Sequence, residues 1–104
     1  MIGGVVVSLN QFEVGKRWIK RKLHEVAQEF GVPLDVSEWR ENTDDFDHLQ
    51  LSLVYEISGT QHIEKFSRSE IDDSAADPTV QARLDNRIRK LLESFSPRPR
   101  RIGF

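Results

Sequence analysis

The side chains able to do chemistry in this 104-residue chain are few and scattered. The three histidines, His24, His48 and His62, match no paired-ligand spacing such as H-E-x-x-H. His48 opens one predicted strand. His62 lies on its hairpin partner, in a register that sets it near Tyr55, so these two do not converge. His24 falls on the polar side of a predicted helix, and all three read as surface or edge histidines. Carboxylates are dense at Asp44, Asp45 and Asp47, and again at Asp72, Asp73 and Asp77, which raises a divalent cation as a ligand. An EF-hand loop would need a central glycine and a closing glutamate. Neither is present, so both stretches read as solvated acidic loops. Paired-carboxylate glycoside chemistry needs a deep cleft, which a domain this small seldom offers. No serine stands in G-x-S-x-G, and the glycines fit neither a dinucleotide fingerprint nor a P-loop. With no cysteine, disulfides, thiolate metal sites and thiol nucleophiles are excluded. The expectation is a non-enzymatic chain with no catalytic residue, no metal site and no cofactor.

The basic residues carry more information. Arg17, Lys20, Arg21 and His24 share a face of the first predicted helix opposite its apolar stripe, with Lys16 and Lys22 on the flanks. Arg83, Arg87 and Lys90 recur at i, i+4 and i+7 along one flank of the last predicted helix. Arg98, Arg100 and Arg101 add to the C-terminal stretch. Helices lying side by side would join these groups into one positive surface of the kind that binds phosphate. The plainer alternative is solvent-side cover by long basic side chains that pair locally, as Asp85 four residues before Arg89 suggests. Charge is segregated along the chain: residues 1–34 carry net +2, 35–77 net −9 and 78–104 net +5, within an overall −2. Such asymmetry speaks to partners, not to fold.

Periodic elements must position these groups. Ile2 to Leu9 alternates as a short strand. Phe12, Ile19, Leu23, Val26 and Phe30 form one stripe at about 100° per residue, which predicts a helix over 12–30 stopped by Gly31 and Pro33. Gly15 weakens the first turn and moves the expected start toward itself. Leu34 and Val36 alternate and Trp39 falls out of step, predicting a strand over 34–40 bulged near Glu38. Residues 41–47 read as an acidic loop. Leu49, Leu51, Leu53, Tyr55 and Ile57 form one face of the clearest strand, with a wet opposite side. Ser58-Gly59 predicts a hairpin turn. The return strand over 60–67 carries Ile63 and Phe66 in opposite parity, which predicts a bulge or register change. Residues 69–77 read as a second acidic loop. Asp77-Pro78 then caps a helix over 78–95 built on Val80, Leu84, Ile88, Leu91 and Phe95.

The predicted order is β-α-β-β-β-α: a two-layer α+β sandwich with a three- or four-stranded antiparallel sheet and two helices on one face. One domain spans 1–95, with a flexible basic tail over 96–104. In element order alone, α-β-β-β-α resembles the double-stranded-RNA-binding domain, and the added first strand resembles the small ribosome-hibernation factors. That resemblance implies RNA as a partner. Two positions depart from it: the last helix opens Asp77-Pro78-Thr79-Val80-Gln81 without that domain's lysine cluster, and the loop over 41–47 is acidic. The leading expectation is therefore a protein–protein interaction module that self-associates or meets a protein partner. Trp18, Trp39 and Phe46 are its candidate apolar anchors, and Arg17, Trp18, Lys20, Arg21, Arg83, Arg87, Lys90, Arg98, Arg100 and Arg101 its candidate surface. Nucleic-acid binding through the helix faces and tail is the alternative. The start lacks the basic region of a signal peptide, and no apolar run approaches a membrane span, so no membrane partner is expected. A small chain without disulfide staples suits a reducing, cytoplasmic setting.

Overall fold

The computed structural model describes residues 11–95, so the strand expected over 2–9 and the tail over 96–104 lie outside it. Helix α1 (Gln11–Phe30) leads into strands β1 (Leu34–Val36), β2 (Arg40–Asn42), β3 (Asp45–Tyr55) and β4 (Gln61–Ser67), then helices α2 (Arg68–Ser74) and α3 (Pro78–Glu93). The mixed α+β expectation holds with an antiparallel sheet of four strands. The count of two helices does not: three are present among the described residues.

Helix α1 buries Gly15, Ile19, Leu23, Val26 and Ala27 along one stripe. It ends where Gly31 takes φ +69, a left-handed angle open to glycine at no steric cost. Val32 N–H then reaches Ala27 O at 2.8 Å and Gly31 N–H reaches Gln28 O at 3.2 Å, which is a Schellman cap. The helix does not start late at Gly15. That glycine serves packing instead: a Cβ there would lie 1.7 Å from Ile71 O of α2. Ser74, fully buried, sits at the same crossing, with Oγ 2.7 Å from Ile71 O and 3.3 Å from Gly15 O.

Strands β1 and β2 run end to end along one margin of β3, and β4 lies along the other. Val36 faces Leu53 while Arg40 faces Gln50, so the first edge carries one residue more than its partner. This is the bulge expected near Glu38. Without it, alternation would turn Glu38 and Arg40 toward the core. With it, Trp39 turns inward, meets the Phe66 ring edge-on at 5.6 Å and donates Nε1–H to Lys16 O at 3.3 Å. The expected irregularity in β4 is absent, since its register runs unbroken from Val54↔Gln61 to His48↔Ser67. Ile63 simply points to the other side. His62 faces Leu53, two positions from the expected neighbour Tyr55.

Both expected acidic loops are shorter than predicted. Residues 41–47 form a tight hairpin in which β2 ends at Asn42 and β3 begins at Asp45. Residues 68–74 form α2, nucleated by a capping box: Ser67 Oγ accepts from Glu70 N–H at 3.1 Å, and Glu70 Oε1 accepts from Ser67 N–H at 3.0 Å. Asp77 caps α3 as expected, its carboxylate accepting from Thr79 N–H at 3.0 Å.

Leu49, Leu51, Leu53 and Tyr55 of β3 and Phe66 of β4 form one buried cluster with Ile19, Leu23 and Val26 of α1, Ile71 of α2 and Val80, Leu84, Ile88 and Leu92 of α3. Each such side chain contributes roughly 1.5–3 kcal/mol by leaving water. The helices thus cover one side of the sheet. The other side carries Gln50, Ser52 and Val54 of β3 opposite Lys65, Ile63 and Gln61 of β4, with no helix over it among the described residues.

Candidate interaction surfaces

The two helical sets of basic residues are kept apart by what lies between them. Facing one another across the α1–α3 contact, Lys22 Nζ lies 3.5 Å from Asp85, and the Arg89 guanidinium lies 2.7 Å from Glu29 and 3.0 Å from Asp85. The Arg89 hydrogen bond holds the Glu29 carboxyl below its ordinary range. The hydrogen bonds that Arg89 donates to Glu29 and Asp85 hold Arg89 above its own. These pairs occupy the inner flanks of both helices. Arg17 and Lys20 lie on the side of α1 toward the bulge, Arg21 stands beside Glu25 on the solvent side, and Arg87 reaches from α3 to β4, with Arg83 and Lys90 exposed on its helix.

Several of these cations already have partners. Lys20 lies 3.5 Å from Glu38, and Arg21 is 4.0 Å from Glu25 on its own helix. A shallow groove of about 290 Å³ between α1 and the bulge is lined by Glu13, Lys16, Arg17, Lys20, Glu38 and Trp39, so its charge is mixed. Arg87 is the most committed. Its guanidinium bonds Glu64 at 2.6 Å, lies 3.4 Å from Glu70, covers the Phe66 ring at 4.6 Å and donates to Lys65 O at 2.5 Å. Glu64 needs that partner, because register places it opposite Leu51 on the helix-covered side of the sheet. Arg17, Arg83 and Lys90 are exposed and make no ion pair among the described residues. Arg98, Arg100 and Arg101 lie outside the described residues.

The aromatic candidates also divide. Trp18 and Trp39 are half-buried against the core, Trp18 with Lys22 Nζ 5.5 Å from its ring centre. Phe46 is 72% exposed, its ring capped by the Arg68 guanidinium at 4.4 Å. Arg68 Nε–H also donates to Phe46 O at 2.6 Å, which ties the tip of the β2–β3 hairpin to the start of α2. His48 Nδ1 lies 3.0 Å from Asp45 Oδ1, a contact that, with Lys65, holds the Asp45 carboxyl below its ordinary range. His62 Nε2 lies 2.7 Å from Glu64 Oε1 and meets the Phe95 ring edge-on. His24 is exposed, and no group of three potential ligands among the described residues is placed to hold a metal ion. No helix among them is long and apolar enough to cross a membrane.

Sequence reasoning missed the margin of β4. Tyr55 N–H donates to Thr60 O at 2.9 Å, so residues 62, 64 and 66 turn their backbone groups toward β3. Gln61, Ile63 and Lys65 turn theirs outward. No strand pairs with them among the described residues, and only Lys65 O is met, by Arg87. Ile63 stands at the middle of this margin, 43% exposed. The opposite parity of Ile63 and Phe66 was the signal available in the sequence. Compared with known proteins, the chain matches no family model, no curated protein and no solved structure.

Proposed function

We propose that this chain is a small non-catalytic protein–protein interaction module that docks through β4 and the helix-free side of its sheet. The observation that carries this reading is Ile63. It is an exposed β-branched residue at the centre of a strand whose outward N–H and C=O groups have no strand partner among the described residues. Unpaired strand margins are templates for a further strand, and a central apolar side chain supplies an anchor. The fate of the basic residues adds support. Lys16, Lys22, Arg87 and Arg89 are drawn into pairs within the chain, which leaves fewer cations for phosphate. A cytoplasmic location, suggested by the lack of cysteine, belongs to the same proposal.

Nucleic-acid binding is the second reading, favoured by Arg17, which is exposed and makes no ion pair among the described residues, on the ridge it shares with Arg21. It requires affinity that falls steeply with salt. The two separate in one co-purification, run with and without nuclease at two salt concentrations. A defined protein partner that survives nuclease and is lost with Ile63→Asp supports docking through the sheet. Nucleic acid in the eluate, released by salt and lost with Arg17→Glu plus Arg21→Glu, overturns it.

A further inference from the structure

We infer that the margin of β4 pairs with the same margin of a second copy, in one register, to make a continuous sheet across a two-fold axis. The inference rests on the docking reading above and names the occupant of that surface. Backbone direction limits the choices. Only Gln61, Ile63 and Lys65 turn their N–H and C=O groups outward, so a symmetric antiparallel pairing must place these residues opposite one another.

Charge then selects among the possible registers. Pairing centred on Lys65 sets Lys65 against its own copy. Centring one step toward the hairpin, at Glu64, sets Glu64 against Glu64 on the helix-covered side. Centring at His62 sets the two His62 side chains together. Centring on Gln61 opposes no like charges but sets Ile63 against Gly59 of the turn, whereas centring on Ile63 makes every pair complementary: Ile63 meets Ile63, Gln61 meets Lys65, and His62 meets Glu64, each of the last two pairs occurring twice. Opposite or apolar partners directly across strands stabilise a sheet, and like charges destabilise it. The exposed half of Ile63 is thereby covered by its own copy. Arg87 does not block this arrangement, because a carbonyl oxygen has two lone pairs and Arg87 takes one of those on Lys65 O. The result is the isologous contact that closes as a dimer rather than growing into a fibre.

The chain has no cysteine, so a single introduced one reports the register directly. Paired residues at the axis bring their Cα atoms to about 5.5 Å, within disulfide reach. Ile63→Cys is expected to form a disulfide-linked dimer under mild oxidation, much faster than Ile57→Cys, whose side chain is 71% exposed but lies in the β3–β4 turn. Sedimentation equilibrium should give concentration-dependent dimerisation of the unmodified chain. Gln61→Glu, now facing Lys65, should tighten the dimer about tenfold, and Gln61→Lys should weaken it about tenfold, since each change acts twice. Gln61 is exposed and both changes alter the same bond from its Nε2–H to Ser52 Oγ, so the difference between the two variants reports the dimer. A monomer at every concentration, equal cross-linking at 57 and 63, or the same response to both Gln61 variants would overturn the inference. If the chain stays monomeric yet loses a defined protein partner with Ile63→Asp, the docking reading stands and self-pairing falls.

Discussion

Gly15→Ala reverses the sign that helix propensity alone assigns. Replacing glycine by alanine inside a helix ordinarily stabilises by about 1 kcal/mol. At this position the new carbon would lie 1.7 Å from Ile71 O, 2.8 Å from Ile71 C and 2.9 Å from Ser74 Oγ. The nearest obstacle is backbone, which cannot rotate aside, so α2 must retreat from α1 by about 1.5 Å or more to restore ordinary contact. Ile71 and Ser74 are both fully buried and are the buried residues of that helix, so the retreat opens its whole inner face. Overpacking of this kind costs about 1–3 kcal/mol, and part of the roughly 1.5–3 kcal/mol from burying Ile71 is lost with it. After the propensity gain, the net loss is about 2 kcal/mol, or a fall of about 10 °C in Tm for a domain of this size. Urea unfolding followed by circular dichroism measures it, with the midpoint falling and the slope unchanged. Gly31→Ala is the comparator: its Cβ would meet nothing within 4 Å, so only the left-handed angle of +69° is strained, at about 1 kcal/mol. A Gly15→Ala protein as stable as the parent, or more so, would refute the close approach of α2 to α1.

Ser67→Ala removes the capping box and is expected to cost about 1 kcal/mol, read as a drop in the urea midpoint. Arg87→Met should destabilise by about 1–3 kcal/mol, because Glu64, 15% exposed, is left on the helix-covered side without its closest cation. Phe46→Ala should leave stability within about 0.5 kcal/mol, since the ring is mostly in water and thermal unfolding reads only its contact with Arg68. Carboxyl titration by NMR should place Glu29 below its ordinary value of 4.5, and Arg89→Gln should move it back up. The group is lowered in the folded state, so its stabilising contribution is complete above that ordinary value. It fades as pH falls through the lowered one, and the Arg89→Gln protein should show less of that acid loss.

Much of the fold was legible because it rests on local pattern. The stripe from Ile19 to Val26 and the alternation from Leu49 to Tyr55 each have a period that admits one element type, and both appear as expected. The bulge was legible because Trp39 breaks the alternation begun by Leu34 and Val36. Helix α2 was not, since the density of Asp72, Asp73 and Asp77 outweighed the Ser67–Glu70 signature that starts it. Gly15 was misread because propensity sees only the helix it belongs to, while its role is set by Ile71, far along the chain. The placement of Glu64 on the core side was hidden for the same reason: a carboxylate there is tolerable only because Arg87 arrives from α3. The basic sets could be assigned to helix faces, but which face turns toward which neighbour depended on how α1 and α3 meet.

The extra residue in the first edge has a consequence for how this sequence can change over time. Because it shifts the phase of alternation, β1 and β2 obey opposite rules: even-numbered Val36 faces the core before it, and odd-numbered Trp39 after it. A single-residue deletion at 37 or 38 would remove the extra residue and merge the two rules into one unbroken alternation, with Val36 and the indole still inward and Arg40 still opposite Gln50. Substitutions along this edge are therefore judged one at a time, but insertions and deletions are judged by parity. Deleting one residue removes the bulge and keeps the indole inside, whereas deleting both 37 and 38 sets it beside Val36 and turns it outward.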